Sequence, residues 1–409
     1  MQSDNPGQSP TPSIASITPI SHVARQREPS GAWTTVVSAN AFAQAHADIS
    51  QWPGYHPTPL LRLNALAGTL GVGEILYKNE AERFQVGSFK ALGAPYAAAR
   101  VLSEALQTRG IAATPLSVAR GELKAACQSV TLTSATDGNH GRALAWAARQ
   151  YGAQCRIYIH SAVSDFREQA MIALGAEVVR INGDYDQSVV AAKQEAASNG
   201  WLVVSDTSWD NYTQVPADVM AGYGVMIDEI VDQLDSPPTH VFAQGGVGGL
   251  AAAVFARLHQ HYGSQSPRMI VVEPEDAACL QASARNGRLT TVKIERETLM
   301  AGLSCGEPSA IAWTILADLA DDFIAVSDSG VGPAMRQLGQ AENAESSDSS
   351  DPTAVAGESA VAGLVALTHA CNNASLKTAL NLTPISRILL FGTEGSTDPD
   401  IYQRIMAAS

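Results

Sequence analysis

A chain of 409 residues with 45% hydrophobic and 16% charged side chains is too long for one core and too apolar to stay unfolded, so two packed domains are expected. A formal charge of −14 with no basic run excludes a nucleic-acid surface, and no apolar run is long enough for a membrane helix. Five scattered cysteines without Cys-x-x-Cys spacing, and nine histidines without ligand spacing, point to neither a disulfide framework nor a metal site, and fit a reducing cytoplasm.

Residues 1–35 are rich in Ser, Pro and Gln, lack an apolar secretory core, and read as a disordered tail. Trp52 to Leu61 is proline-broken and extended, and leads into a helix over Leu63–Leu70. Glu74–Lys78 is a short strand, after which a polar loop, Asn79–Gly87, delivers Ser88 and Lys90 to an alanine-rich helix. Val130–Thr133 reads as a buried strand ending in Thr136-Asp-Gly-Asn-His-Gly, followed by a helix over Arg142–Tyr151. Further strands are expected at Arg156–Ile159, Ala176–Ile181, Leu202–Ser205, Val241–Ala243, Met269–Val272, Phe323–Val326 and Ile388–Phe391. Helices fill the intervals at Phe166–Leu174, Asp186–Ser198, Pro216–Leu234, Gly248–Tyr262, Ala277–Asn286 and Gly357–Asn372.

This alternation predicts an α/β fold of two domains, each a twisted parallel sheet covered by helices, with the active site in the cleft between them. The boundaries expected are a large domain over 36–124 and 206–409 and a small mobile domain over 125–205. Gln340–Pro352 is acidic and serine-rich, and reads as a disordered surface insert.

Two motifs carry the chemistry. Lys90 follows Phe89 and precedes Ala91, Leu92 and Gly93, so its sequence neighbours offer burial and no carboxylate. Burial lowers a lysine pKa and makes the amine a nucleophile towards an aldehyde; the bland reading is a snorkelling lysine at a helix start. Downstream, Gly245-Gly246-Val247-Gly248-Gly249 lies between an apolar strand and a helix, where backbone N–H groups can cradle a phosphate. A lysine of this kind and a phosphate cradle in one chain imply pyridoxal 5'-phosphate, with Phe89 beside it.

The Thr133–Gly141 loop could hold a substrate carboxylate through Ser134, Thr136 and neighbouring N–H groups, and Asn139 could bond the phenolic oxygen of the cofactor. The plain alternative is that Asp137 or Asn139 caps a helix, and His140 reads as structural. Asp206 ends a strand; it is either a turn residue or, with Asp137, a seat for a second cationic amine or a base. Asp210 competes with Asp206 for that role, and spacing does not separate them. Thr393, in Gly392-Thr393-Glu394-Gly395, could bond the pyridine nitrogen, or simply end a strand.

With Phe84–Lys90, Ala135–Gly141, Asp206-Thr-Ser-Trp, Gly245–Gly249, Met300–Pro308 and Thr393-Glu-Gly-Ser-Thr-Asp in view, the chain resembles fold type II pyridoxal-phosphate enzymes, the tryptophan synthase β-chain and serine/threonine dehydratase superfamily. Within it the resemblance is to the diaminopropionate ammonia-lyases, and Asp137 is its specific part, since general dehydratases have serine there. The resemblance implies α,β-elimination of D- and L-2,3-diaminopropionate to pyruvate and ammonia, in a homodimer whose partner molecule is otherwise only this small amino acid. Lys90 would carry the cofactor and take the Cα proton of the L-substrate, Asp137 that of the D-substrate, and Asp206 would hold the β-amino group. The alternatives are a dehydratase or β-replacement enzyme of the same fold, or a silent binding module. The chain departs from the family pattern at Gly246 (usually Ala), at Ser304 (usually Asp) and at Ser396-Thr397 (usually more acidic).

Overall fold

Residues 20–25, 28–136, 138–183, 185–339 and 351–408 are described by the computed structural model. In chain order the strands are β1 (Ser21–Ala24), β2 (Leu60–Arg62), β3 (Glu74–Asn79), β4 (Thr131–Ala135), β5 (Gln154–Ile159) and β6 (Glu177–Arg180). They continue with β7 (Leu202–Val203), β8 (His240–Gln244), β9 (Arg268–Pro274), β10 (Asp322–Val326) and β11 (Arg387–Gly392). Two sheets result, a seven-stranded one in the order β1-β10-β9-β8-β11-β3-β2 and a four-stranded one in the order β6-β5-β4-β7.

The inner strands are apolar on both faces because helical crossovers cover both. In β9, Met269 and Val271 enter one core cluster while Ile270 and Val272 enter the other. In β11, Leu389 and Phe391 divide from Ile388 and Leu390 in the same way. The first cluster continues into the smaller sheet through Leu132 and Ile157, so one core serves both.

The helix Lys90–Gln107 packs against both Gln214–Gln233 and Asn139–Tyr151. The first crossing is unusually close. A Cβ at Gly222 would lie 2.5 Å from the Leu92 carbonyl oxygen, and one at Gly93 would lie 2.4 Å from Cε1 of Tyr223. Glycine at both positions is what lets Tyr223 approach the start of the Lys90 helix.

Several expectations need correction. The sheets are not wholly parallel: β1 pairs with β10, and β2 with β3, antiparallel. Both are edge strands of three or four residues, too short to carry a periodic signal. Part of the stretch read as a disordered tail is ordered: β1 is paired along its length, and the Arg25 N–H donates to the Asp321 carbonyl at 2.8 Å. Of the acidic insert, residues 340–350 lie outside the described residues. Asp351 is tied down, with its carboxylate accepting from the Ala65 and Leu66 N–H groups at 2.8 and 2.9 Å and capping the helix Asn64–Leu70. β7 is shorter than expected, because Ser205 N–H donates to the Tyr212 hydroxyl at 3.0 Å rather than to a neighbouring strand.

Beneath the Lys90 loop lies a buried charge network. The Arg83 guanidinium donates to Glu80 at 2.8 Å and to both oxygens of Glu229 at 2.7 Å, and the Lys78 ammonium lies 2.8 Å from Glu229. Two cations face two carboxylates, so the buried charge is neutral overall. Arg83→Met leaves two carboxylates facing Lys78 alone, and unfolding by urea should show a loss of about 3–5 kcal/mol. A midpoint within error of the parent would mean the network does not hold the loop.

Candidate active site

The loop before Lys90 is locally strained. Phe84 and Gln85 have φ of 50° and 60°, a region that side chains disfavour. Arg83 holds one side of the loop. On the other, Phe89 N–H donates to the Thr393 carbonyl and Gly395 N–H to the Gly87 carbonyl, both at 3.0 Å, with Ser88 bridged to Glu394. The Lys90 loop and the Thr393–Gly395 loop therefore run side by side, and Lys90 becomes the first residue of its helix.

The Lys90 ammonium is ion-paired to the Asp206 carboxylate, with the two side chains 21% and 18% exposed. The sequence expectation of a lysine without a carboxylate partner and with a lowered pKa is thus overturned. Burial does push Lys90 down, but the negative charge of Asp206 outweighs it and holds the amine above its ordinary range. Burial likewise opposes ionisation of Asp206, yet the charge of Lys90 keeps its carboxyl well below the usual range. Asp210, the competing acid, is exposed. His140 is buried; its Nε2 donates to the Val204 carbonyl at 2.8 Å, and Nδ1 stands 3.6 Å from Asp206. Burial, with Lys90 nearby, lowers its pKa and keeps it neutral.

The glycine loop has the expected strand–loop–helix setting. Gly246 and Gly248 take φ of 61° and 99°, which side chains rarely adopt, and Gly248 opens the helix Gly249–Tyr262. Gly245 is tied back through its N–H to the Val272 carbonyl at 2.8 Å. The Val247 carbonyl accepts from Ser309 N–H at 2.9 Å, and the Ser309 hydroxyl meets that of Ser208 at 2.9 Å, two residues from Asp206. The phosphate loop and the Lys90 counter-ion are therefore joined.

Of the remaining expected residues, Ser134 and Thr136 are buried at the end of β4, and Thr393 is buried beside Phe89. The Asn139 side-chain amide donates to Glu394, and Asp137 lies outside the described residues. Among the described residues no group of His, Cys, Asp and Glu is arranged to hold a metal ion.

Residues 51–371 match the family of pyridoxal-phosphate dependent enzymes. The chain belongs to that family. It is 37% identical to the diaminopropionate ammonia-lyase of Escherichia coli K12 over 89% of this chain and 92% of that one. It is 34% identical to the Salmonella typhimurium enzyme of the same name, over 93% and 96%. The crystal structure of the Escherichia coli diaminopropionate ammonia-lyase in complex with D-serine superposes with a TM-score of 0.85, at 35% identity over 95% and 97% of the two chains. The fold is that of these enzymes, and the cofactor is pyridoxal 5'-phosphate.

The residues present fit this pyridoxal-phosphate group. Among the described residues the buried hydroxyls of Ser88, Ser134, Thr207 and Tyr223 have no hydrogen-bond partner; Ser88 and Thr207 adjoin Lys90 and Asp206 only one or two positions away in the chain. Buried hydroxyls left unpaired are costly, and a polar ligand bearing a phosphate and a phenolic oxygen supplies the missing partners. The backbone N–H groups of Gly245–Gly249 could seat such an anion, and the amine of Lys90 could bond its aldehyde.

Sequence reasoning overlooked Tyr223 and weighed Glu394 only as part of a motif. Gly222-Tyr223-Gly224, an aromatic between two glycines inside a helix, was the available signal of a close approach. Glu358 is also buried, with its carboxyl pushed up to about 7 by burial and by neighbouring Glu394.

Replacing Asp206 by Asn removes the main influence that raises Lys90 and leaves burial to lower it. In the chain stripped of cofactor, competitive acetylation at pH 8 followed by peptide mass spectrometry should show Lys90 reacting roughly tenfold faster in the variant. Equal rates would show that Asp206 does not control the amine.

Proposed function

We propose that the protein catalyses α,β-elimination of 2,3-diaminopropionate, taking both enantiomers to pyruvate and two molecules of ammonia. One observation carries the reading: a carboxylate, Asp206, stands against the reactive lysine in a family whose substrates are amino acids. An acid there is unfavourable beside a substrate carboxylate but favourable beside a second, cationic amine. The identity to two named diaminopropionate ammonia-lyases supports the same substrate.

Bound pyridoxal phosphate supplies a covalent anchor for the amino acid and a ring that withdraws electrons from its α-carbon. Lys90 holds that group until substrate arrives, then takes the Cα proton of the L-enantiomer. Asp137 takes the proton of the D-enantiomer from the other side. Asp206 holds the β-amino group as a cation, the form in which it leaves as ammonia. Ser134, Thr136 and the adjoining N–H groups hold the substrate carboxylate, and Asn139 holds the phenolic oxygen of the cofactor. Backbone N–H groups of Gly245, Gly246, Val247, Gly248 and Gly249 hold the phosphate, with Phe89 packed alongside. Thr393, as an uncharged hydroxyl at the ring nitrogen, leaves that nitrogen unprotonated, which suits elimination. Aminoacrylate then leaves and hydrolyses in water to pyruvate and the second ammonia.

In this reading residues 125–205 form a small mobile domain that closes on the larger one, 36–124 and 206–409. Among the described residues no helix is long and apolar enough to cross a membrane. A cytoplasmic homodimer, as the resemblance implies, completes the proposal.

The deciding measurement is pyruvate release from D- and L-diaminopropionate against D- and L-serine and threonine. Preference for diaminopropionate is expected; turnover of serine or threonine alone would make the protein a dehydratase. Lys90→Ala should abolish release and the visible band at about 410–420 nm. Asp137→Asn should lower kcat for the D-substrate by about a hundredfold and for the L-substrate far less. An equal loss for both would remove Asp137 from the role of base.

A further inference from the structure

The phenol of Tyr223 is 1% exposed, and among the described residues its hydroxyl has no partner of ordinary hydrogen-bond geometry. Buried phenols ordinarily find one. The ring has little freedom to seek it. It packs on Phe89 with centroids 4.7 Å apart, and Cε1 fills the space that a side chain at Gly93 would need. The next residue, Gly224, is pressed on Phe42, where a Cβ would fall 2.1 Å from Cδ1. Only the hydroxyl is unaccounted for, and it lies beside both Lys90 and Asp206. The Lys90 ammonium itself is 5.8 Å from the centroid of the Tyr223 ring.

The groups around this pair are few and mostly committed. Asp206 is paired with Lys90. His140 is fixed through Nε2 to the Val204 carbonyl, and burial keeps it neutral. The Tyr212 hydroxyl donates to the Val203 carbonyl at 2.9 Å and accepts from Ser205 N–H at 3.0 Å. Burial raises the Tyr223 pKa, so its hydroxyl stays neutral and can accept from an ammonium or donate to an amine.

We propose that Tyr223 is a positioning residue that takes over from Asp206 as the hydrogen-bond partner of the Lys90 amine when a cationic amine of the substrate engages Asp206. The inference rests on the function proposed above, in which Asp206 receives the second amine. A lysine amine released in this buried site and deprived of its carboxylate would otherwise be unpaired, which is costly. Tyr223 stands near enough to influence Lys90 yet makes no hydrogen bond of ordinary geometry to it, so a small movement of the amine completes the bond. Once held there, the amine keeps its orientation for accepting the Cα proton.

Tyr223→Phe removes the hydroxyl and keeps the ring. Because the pH profile of kcat reports the substrate-bound enzyme and that of kcat/KM the free enzyme, exchange of partners has a selective signature. In the variant holoenzyme, kcat for L-2,3-diaminopropionate should fall about tenfold, and the acid limb of its pH profile should move down by about half a unit or more. The acid limb of kcat/KM, and a substrate-free pH titration of the cofactor's visible absorbance, should match wild type. An unchanged kcat profile overturns the proposal. So does a shift of the substrate-free titration, which would make Tyr223 a permanent partner of Lys90. A wild-type enzyme inactive on diaminopropionate would instead remove the proposed function, and this inference with it.

Discussion

The structure depends on keeping one amine and one carboxylate together in a largely enclosed site. Lys90 and Asp206 are 116 positions apart, so nothing local brings them into contact. Neither charge would be stable there alone, since an unpaired buried ion is far costlier than a paired one. The frame around them has to hold both within contact distance. Lys90 is placed by a loop with two left-handed residues, clamped below by the Arg83 network and alongside by Thr393–Gly395. Asp206 is placed by a strand that stops early and by Ser208, which is bonded to Ser309.

The same bonds tie together groups of different purpose. Ser309 joins the loop at Gly245–Gly249 to the loop of Asp206, so the glycine loop and the counter-ion of the lysine share one hydrogen-bonded support. On the other side, Asn139 meets Glu394, and the Ser164 hydroxyl donates to Asp398 at 3.1 Å. These bonds cross between the elements of the smaller sheet and the loops that follow β11. Polar contacts of that kind can be exchanged for others at little net cost, unlike the apolar core that runs beneath them.

Much of the fold was legible in the sequence. Nine of the strands lie where apolar runs marked them, because parallel strands buried on both faces must be apolar at successive positions. Among what escaped were β1 and β2, the ordered end of the tail, and the capping role of Asp351. β1 and Asp351 are stabilised by partners far along the chain rather than by their own pattern: β1 by β10, and Asp351 by the N–H groups of Ala65 and Leu66. Three or four residues carry no period that could be read beforehand.

By itself the sequence determined the class of fold, the candidate lysine and the glycine loop, because these are local facts: hydrophobic period, a lysine among apolar neighbours, glycines where positive φ is needed. Only the tertiary structure decided that Lys90 is paired and its pKa raised, that Asp206 and not Asp210 is the partner, and that Tyr223 reaches the same point. The physical reason is that a pKa and a contact depend on distance in space. The close crossing at Gly93 and Gly222, which brings those residues together, is a property of two helices packed face to face.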